Sequence, residues 1–174
     1  MEQIQGLVMV YTGSGKGKTT AALGLALRQI GHGGRVLFLQ FLKAPQQSGE
    51  YQAAVKFLPN LEIVSCGRKG FIYSIPTAED RRLATAALIK AEEALSSQAY
   101  SMLVLDEVHV ALELGLISLD DLMRLIAIRQ STHLVLTGRN APAEVIQTAN
   151  IVSEVQEIKH DYQVGRQATA GIEY

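Results

Sequence analysis

Unbroken apolar runs recur along this chain, and the segments between them place apolar residues at helical spacing. Leu7 to Tyr11 is one such run, and Arg35-Val36-Leu37-Phe38-Leu39-Gln40-Phe41 is another. Apolar stretches of this length without polar alternation read as strands buried on both faces. Shorter runs at Leu61 to Ser65, Met102 to Glu107, Leu134 to Thr137 and Ile151 to Val155 continue the series, the last expected as a further core strand. Helices are predicted in the gaps. One spans Thr19 to about Ile30 and is stopped by Gly31-His32-Gly33-Gly34; another spans Ser48 to Phe57 and ends at Pro59-Asn60. Thr77 starts a long alanine-rich helix with Asp80 in capping-box position, Ser118 starts another with Asp121, and a further one begins near Pro142. The alternation predicts an α/β fold, a mostly parallel sheet with helices on both faces. No linker, repeat or low-complexity tract interrupts it, so residues 1–174 are expected to form a single domain.

In such sheets ligands bind beyond the carboxyl ends of the strands, and the polar residues that break the pattern collect there. The first strand runs into TGSGKGKTT, Thr12 to Thr20. Gly13, Gly15 and Gly17 let the backbone turn tightly and aim successive N–H groups at anionic oxygens. Lys18 adds a charge, Thr19 a hydroxyl suited to Mg²⁺, and the following helix its positive dipole end. Gly13, Ser14, Gly15, Lys16, Gly17, Lys18, Thr19 and Thr20 are therefore candidate nucleotide-binding residues. The first glycine of the usual G-x-x-x-x-G-K-S/T pattern falls on Thr12, so the loop is a variant with its glycines in the second half.

Asp106-Glu107 ends an apolar strand, where paired carboxylates hold Mg²⁺ or act as a base; an acidic helix start is the plainer alternative. Which of the two meets metal is open. Arg139, in Thr-Gly-Arg-Asn after a strand, and Arg28, nine residues past Thr19, are candidates for phosphate or ribose. Arg28 near a helix C-terminus also suits the dipole. The site is thus expected to assemble from three strand ends: the phosphate loop, Asp106-Glu107 and Gly138-Arg139. The histidines at 32, 109, 133 and 160 show no ligand spacing, and His109 reads as packing or surface. Phe71 and Tyr73, in a glycine-flanked loop, are candidates to line a pocket for a large flat molecule.

Composition narrows the setting. Net charge is −1 and charged residues make up 19%, so no sequence-wide pull toward nucleic acid or membrane is expected. A single cysteine, Cys66, allows neither an internal disulfide nor a multi-cysteine zinc site. With no signal-like start and no membrane-length apolar run, a cytoplasmic enzyme is expected.

The run GSGKGKTTAALGLALRQIGHGGRVLFLQFLK (Gly13 to Lys43), LVLDEV (Leu103 to Val108), LTGRNAP (Leu136 to Pro142) and the ending IKHDYQVGRQATAGIEY (Ile158 to Tyr174) resemble the phosphate-loop ATP:corrinoid adenosyltransferases. The resemblance runs through nearly the whole chain in order. It implies a P-loop NTPase-like fold and a reaction in which a Co(I) corrinoid attacks the 5′-carbon of ATP and inorganic triphosphate departs. It also implies a triphosphate bound in the reversed sense, with Gly13 to Thr19 on the phosphates and Lys18 as the main charge. Thr19 and Glu107 would hold Mg²⁺ with Asp106 in support, and Arg28 and Arg139 would assist the nucleotide. Lys18 and Glu107 are the expected catalytic residues. Phe71 and Tyr73 would face the corrinoid, although Tyr73 stands near a position where family members carry Trp. A homodimer and a flavoprotein-type reductase that makes Co(I) are implied as partners. Some relatives carry an N-terminal segment that closes over the site; here six residues precede the first strand, so closure is expected to come from elsewhere or to be looser. The competing enzyme class is a P-loop ATPase or small-molecule kinase cleaving at the γ-phosphate. A non-catalytic nucleotide or corrinoid carrier is opposed by Lys18, Thr19 and the two carboxylates.

Overall fold

The structure is a computed structural model that describes residues 5–44, 48–68, 70, 75–161, 165 and 167–172. In chain order its elements are β1 (Val8–Thr12), α1 (Lys18–Gly31), β2 (Val36–Phe41), α2 (Gly49–Phe57), β3 (Leu61–Cys66), α3 (Ala78–Ser97) and β4 (Met102–Asp106). They continue with α4 (Val108–Glu113), α5 (Leu119–Ile128), β5 (His133–Thr137), α6 (Ala143–Thr148) and β6 (Ile151–Glu154). The strands form one six-stranded sheet in the order β3-β2-β4-β5-β1-β6, with every pairing parallel.

Strand parity divides the core. Val8, Val10, Leu37, Leu39, Phe41, Leu103, Leu105, Leu134 and Leu136 point to one face, where Ala84, Ala87, Leu88 and Ala91 of α3 and Leu122, Leu125 and Ile126 of α5 cover them. Met9, Val36, Phe38, Ile63, Met102, Val104 and Val135 point to the other, beneath Ala22 and Ala26 of α1 and Ala54 of α2. The small alanines let α1 and α3 lie close on the sheet. Capping boxes close the starts of α3 and α5 at Thr77/Asp80 and Ser118/Asp121, as their spacing predicts.

One expectation is corrected. Ile151–Glu154 is an edge strand, exposed at all four residues, because β1 is its sole partner in the sheet. The chain after Asp106 turns into a helix, α4, so the acidic pair does stand at a helix start. Its N-cap, Glu107, takes the left-handed conformation at φ 60°.

Candidate functional site

Parity also decides which polar side chains meet. Counting on from Met102 and Val104, Asp106 falls on the face that carries α1. Its neighbours in register are Gln40 on β2 and, one step beyond the Leu105–Leu136 pair, Thr137 on β5. Ser65 pairs with Gln40, Tyr11 with Thr137, and Ser153 with Tyr11. A row of polar residues thus crosses all six strands at their carboxyl ends, directly below the start of α1.

Asp106 is fully buried. Its Oδ1 accepts hydrogen bonds from the Thr19 hydroxyl at 2.9 Å and the Thr137 hydroxyl at 2.7 Å. Its Oδ2 has no aligned donor, yet the Lys43 ammonium lies 3.1 Å away as an ion-pair contact. Lys43 also stands 3.7 Å from Glu50, whose carboxylate accepts from the Gln40 amide at 2.9 Å. Burial alone would raise the Glu50 pKa, but hydrogen bonds from its own backbone and Gln40, with the Lys43 charge, hold it below the usual range.

The loop between β1 and α1 is shaped by backbone contact. Gly13 sits at φ +100°, and a Cβ there would lie 2.4 Å from the Val155 carbonyl oxygen, so only glycine fits. The Gly15 N–H donates to that carbonyl at 2.8 Å, and the Val155 N–H donates to the Thr12 carbonyl at 2.8 Å. Lys18 is buried, its ammonium donating to the carbonyls of Gly13 at 2.8 Å and Gly15 at 2.7 Å. Burial lowers the Lys18 pKa; Glu107 and Asp106 oppose this and Arg139 reinforces it. Gly17 caps α1 with no side-chain hydrogen bond, leaving the first-turn N–H groups facing the cleft.

That cleft has a volume of about 650 Å³. The loop residues Ser14 to Thr20 line it, with Lys43, Glu50, Glu107 and Arg139. Glu157, His160, Gly171 and Ile172 form its far wall, and the Lys16 ammonium donates to the Ile172 carbonyl at 2.7 Å. Burial, then the neighbouring Asp106, raises the Glu107 pKa, against the pull of Lys43, Lys18 and Arg139. The Glu107 N–H donates to the Thr137 hydroxyl at 2.9 Å, which fixes the left-handed turn. Behind it, Gly138 at φ +138° leaves no room for a Cβ, which would lie 2.8 Å from the Cβ of His109. His109 is buried, with neither ring nitrogen in a well-formed hydrogen bond.

The three expected strand ends therefore do converge, and the end of β2 is a fourth contributor. Lys43, Glu50, Gln40 and Thr137 are not singled out by the sequence motifs; the available signal is a polar residue within an otherwise apolar run at Gln40 and one closing such a run at Thr137. Arg28 is exposed in the last turn of α1 and is not among the residues that line the cleft of this chain. Nine residues of helix separate it from Thr19, roughly 13 Å of rise.

Phe71 and Tyr73 lie outside the described residues. The feet of their loop are described and share one carboxylate. The Arg68 guanidinium donates to Asp80 Oδ1 at 2.7 Å, while the Thr77 N–H and hydroxyl donate to Oδ2 at 2.8 and 2.7 Å. These bonds, Arg68 first, hold the Asp80 pKa at about 2, below the ordinary 3.8. Asp80→Asn is expected to cost about 1–2 kcal/mol of stability at neutral pH. Because the folded-state pKa is depressed, that difference is present above about 3.8 and disappears as pH falls through about 2. Urea unfolding of both proteins at pH 7 and pH 3 measures it.

A phosphate loop after a parallel strand, a buried aspartate hydrogen-bonded to the loop threonine and an uncapped helix start define a P-loop nucleotide-binding protein. Residues 4–174 match the family model described as ATP:corrinoid adenosyltransferase BtuR/CobO/CobP, and the chain belongs to that family. It is 35% identical to a corrinoid adenosyltransferase of Sinorhizobium sp, over 98% of this chain and 81% of the relative. The corrinoid adenosyltransferase of Pseudomonas aeruginosa is 33% identical over 98% and 84% of the two chains. That of Salmonella typhimurium is 29% identical over 99% and 88%. The protein is thus a transferase, a corrinoid adenosyltransferase of adenosylcobalamin synthesis or salvage, with ATP and a corrinoid as its substrates. No helix among the described residues is long and apolar enough to cross a membrane.

Proposed function

We propose that the cleft holds ATP with its triphosphate on the β1–α1 loop and its 5′-carbon open to a Co(I) corrinoid. The cobalt attacks that carbon, a cobalt–carbon bond forms, and the bond from carbon to the triphosphate oxygen breaks. The observation that carries this reading is the convergence of Lys16, Lys18, Lys43 and Arg139 on one cleft around the open start of α1. Charge develops on the departing triphosphate, and fixed cations and N–H groups aimed at it lower the barrier. Lys18 is the main charge, Gly13 to Thr20 bind phosphate oxygens through backbone and side chain, and Arg139 reaches the nucleotide from the end of β5. Arg28 would need to act from outside this chain's own cleft.

Thr19 and Asp106 fit a Mg²⁺ ion, with Glu107 beside them. The buried Oδ2 of Asp106 lacks an aligned hydrogen bond, and the Thr19 hydroxyl already gives its proton to Oδ1, which leaves its lone pairs for a cation. Among the described residues no three of His, Cys, Asp or Glu cluster as a cage, in keeping with a metal that takes its remaining ligands from water and phosphate. When bound, Mg²⁺ neutralises charge on the triphosphate. Phe71 and Tyr73 would meet the corrinoid, and the Asp80 clasp holds both feet of their loop. The same reading includes a homodimer and a flavoprotein-type reductase as electron donor, both drawn from the resemblance, and a cytoplasmic setting, drawn from the sequence pattern.

Anaerobic incubation with Mg-ATP and chemically reduced corrinoid tests the reaction. An adenosylcorrinoid spectrum with stoichiometric triphosphate is expected. ADP and phosphate with an unmoved corrinoid spectrum would overturn it in favour of γ-phosphate cleavage.

A further inference from the structure

Lys43 occupies an unusual place. It follows Leu42, a non-glycine residue at φ +64°, which turns the chain out of β2 and over the carboxyl end of the sheet. From there its ammonium reaches 3.1 Å from Asp106 Oδ2, the one oxygen of that carboxylate that the threonine hydroxyls leave unserved. Asp106 is fully buried, and a buried carboxylate without a compensating charge is costly. Lys43 itself is only partly covered, with 35% of its side chain exposed, and it lines the cleft beside Lys18 and Arg139. Its second anion, Glu50, lies at 3.7 Å on the cleft side. One flexible cation therefore bridges the cleft and the carboxylate that fits a metal.

We propose that Lys43 is a resident counter-cation of Asp106 that a divalent metal displaces, the ammonium then passing to the triphosphate. This rests on the reading that Asp106 and Thr19 receive the metal. Two cations cannot share Oδ2 without strong repulsion at such short range in a poorly solvated site. The arriving metal–nucleotide removes the conflict itself, because its phosphates supply new anions within the same cleft. Lys43 thus keeps Asp106 neutralised in the empty protein and opposes metal binding until nucleotide comes with it. Free metal alone is a poor ligand as a result.

Mn²⁺, followed by its electron paramagnetic resonance signal, is the probe. Nucleotide-free wild type, Lys43→Met, Lys43→Gln and Lys43→Arg are titrated, with Asp106→Asn titrated in the presence of ATP. Met and Gln at position 43 are expected to tighten Mn²⁺ binding roughly tenfold or more, while Arg, which keeps the charge, stays near wild type. With EDTA present, ATP should bind roughly tenfold more weakly to the Met and Gln variants. Two uncharged replacements guard against one that does not fold. Unchanged Mn²⁺ affinity in both, with weakened Mn²⁺ binding in Asp106→Asn, overturns the hand-over and leaves the metal reading standing. An Arg variant that binds Mn²⁺ as tightly as the Met variant also overturns it, since charge would not be the cause. Unchanged Mn²⁺ binding in Asp106→Asn overturns both.

Discussion

Lys18→Met is expected to slow adenosyl transfer by roughly 10³-fold, the scale found when one preorganised charge-stabilising group is removed from a reaction centre. The leaving group is a whole triphosphate, so most of the developing charge lies within reach of the loop. The Lys18 ammonium is held by the carbonyls of Gly13 and Gly15 at 2.8 and 2.7 Å, which fixes it at the start of α1. Its burial lowers its pKa; an arriving triphosphate favours the charged form and reverses that tendency. Arginine is a poor substitute, because a planar guanidinium is broader than the point donor that fits between two carbonyls. The variant should keep its fold, since methionine fills a similar volume and the lost charge was itself partly desolvated. The check is the initial rate of triphosphate release under saturating corrinoid, beside the unfolding midpoint. A rate within tenfold of wild type would remove Lys18 from the catalytic assignment.

The second large effect concerns stability in acid. His109 has its pKa lowered to about 4, because burial disfavours the charged ring and only the Gly138 backbone works the other way. In the unfolded chain the same ring titrates near 6.5. Between pH 6.5 and about 4 the unfolded chain takes up a proton that the folded protein refuses, so stability falls as pH falls through that window. Above 6.5 there is no penalty. The full loss comes to roughly 3 kcal/mol, a large share of a domain's stability. His109→Leu should flatten the slope, at the loss of the ring's contact with the Gly138 backbone. Urea midpoints between pH 7 and pH 4, taken without metal or nucleotide, provide the comparison. An unchanged slope in the variant would place the acid sensitivity elsewhere.

How much of this was legible beforehand depends on which physical signal carried it. The strands announced themselves because a parallel sheet covered on both faces demands continuous apolar runs, as at Val36–Phe41. The loop was legible because Gly13, Gly15 and Gly17 before Lys18-Thr19 have few other uses. Strand parity tells the two carboxylates apart in position, Asp106 on the face of Met102 and Val104 and Glu107 already in the turn. Lys43 and Glu50 stayed hidden because neither sits in a motif. Only the turn at Leu42 and the placement of α2 bring them to Asp106. The acidic pair offered a helix start and α4 follows it, though the left-handed residue at Glu107 departs from the usual helix-start pattern. Ile151–Glu154 continues the strand–helix alternation, but Ser153 and Glu154 already break its apolar run, and its edge position follows from sheet order.

Sheet order has a consequence for how the protein is made. β1 lies between β5 and β6, the last two strands along the chain, and both touch the phosphate-loop region only through late residues. Val155 braces Gly13 and Gly15, and the Lys16–Ile172 bond joins residues 156 positions apart. On the ribosome the glycine loop emerges well before Val155 and Ile172, so its shape waits on closure of a very long loop. A chain made only as far as β5 therefore carries the glycine loop without the Val155 backbone that shapes it.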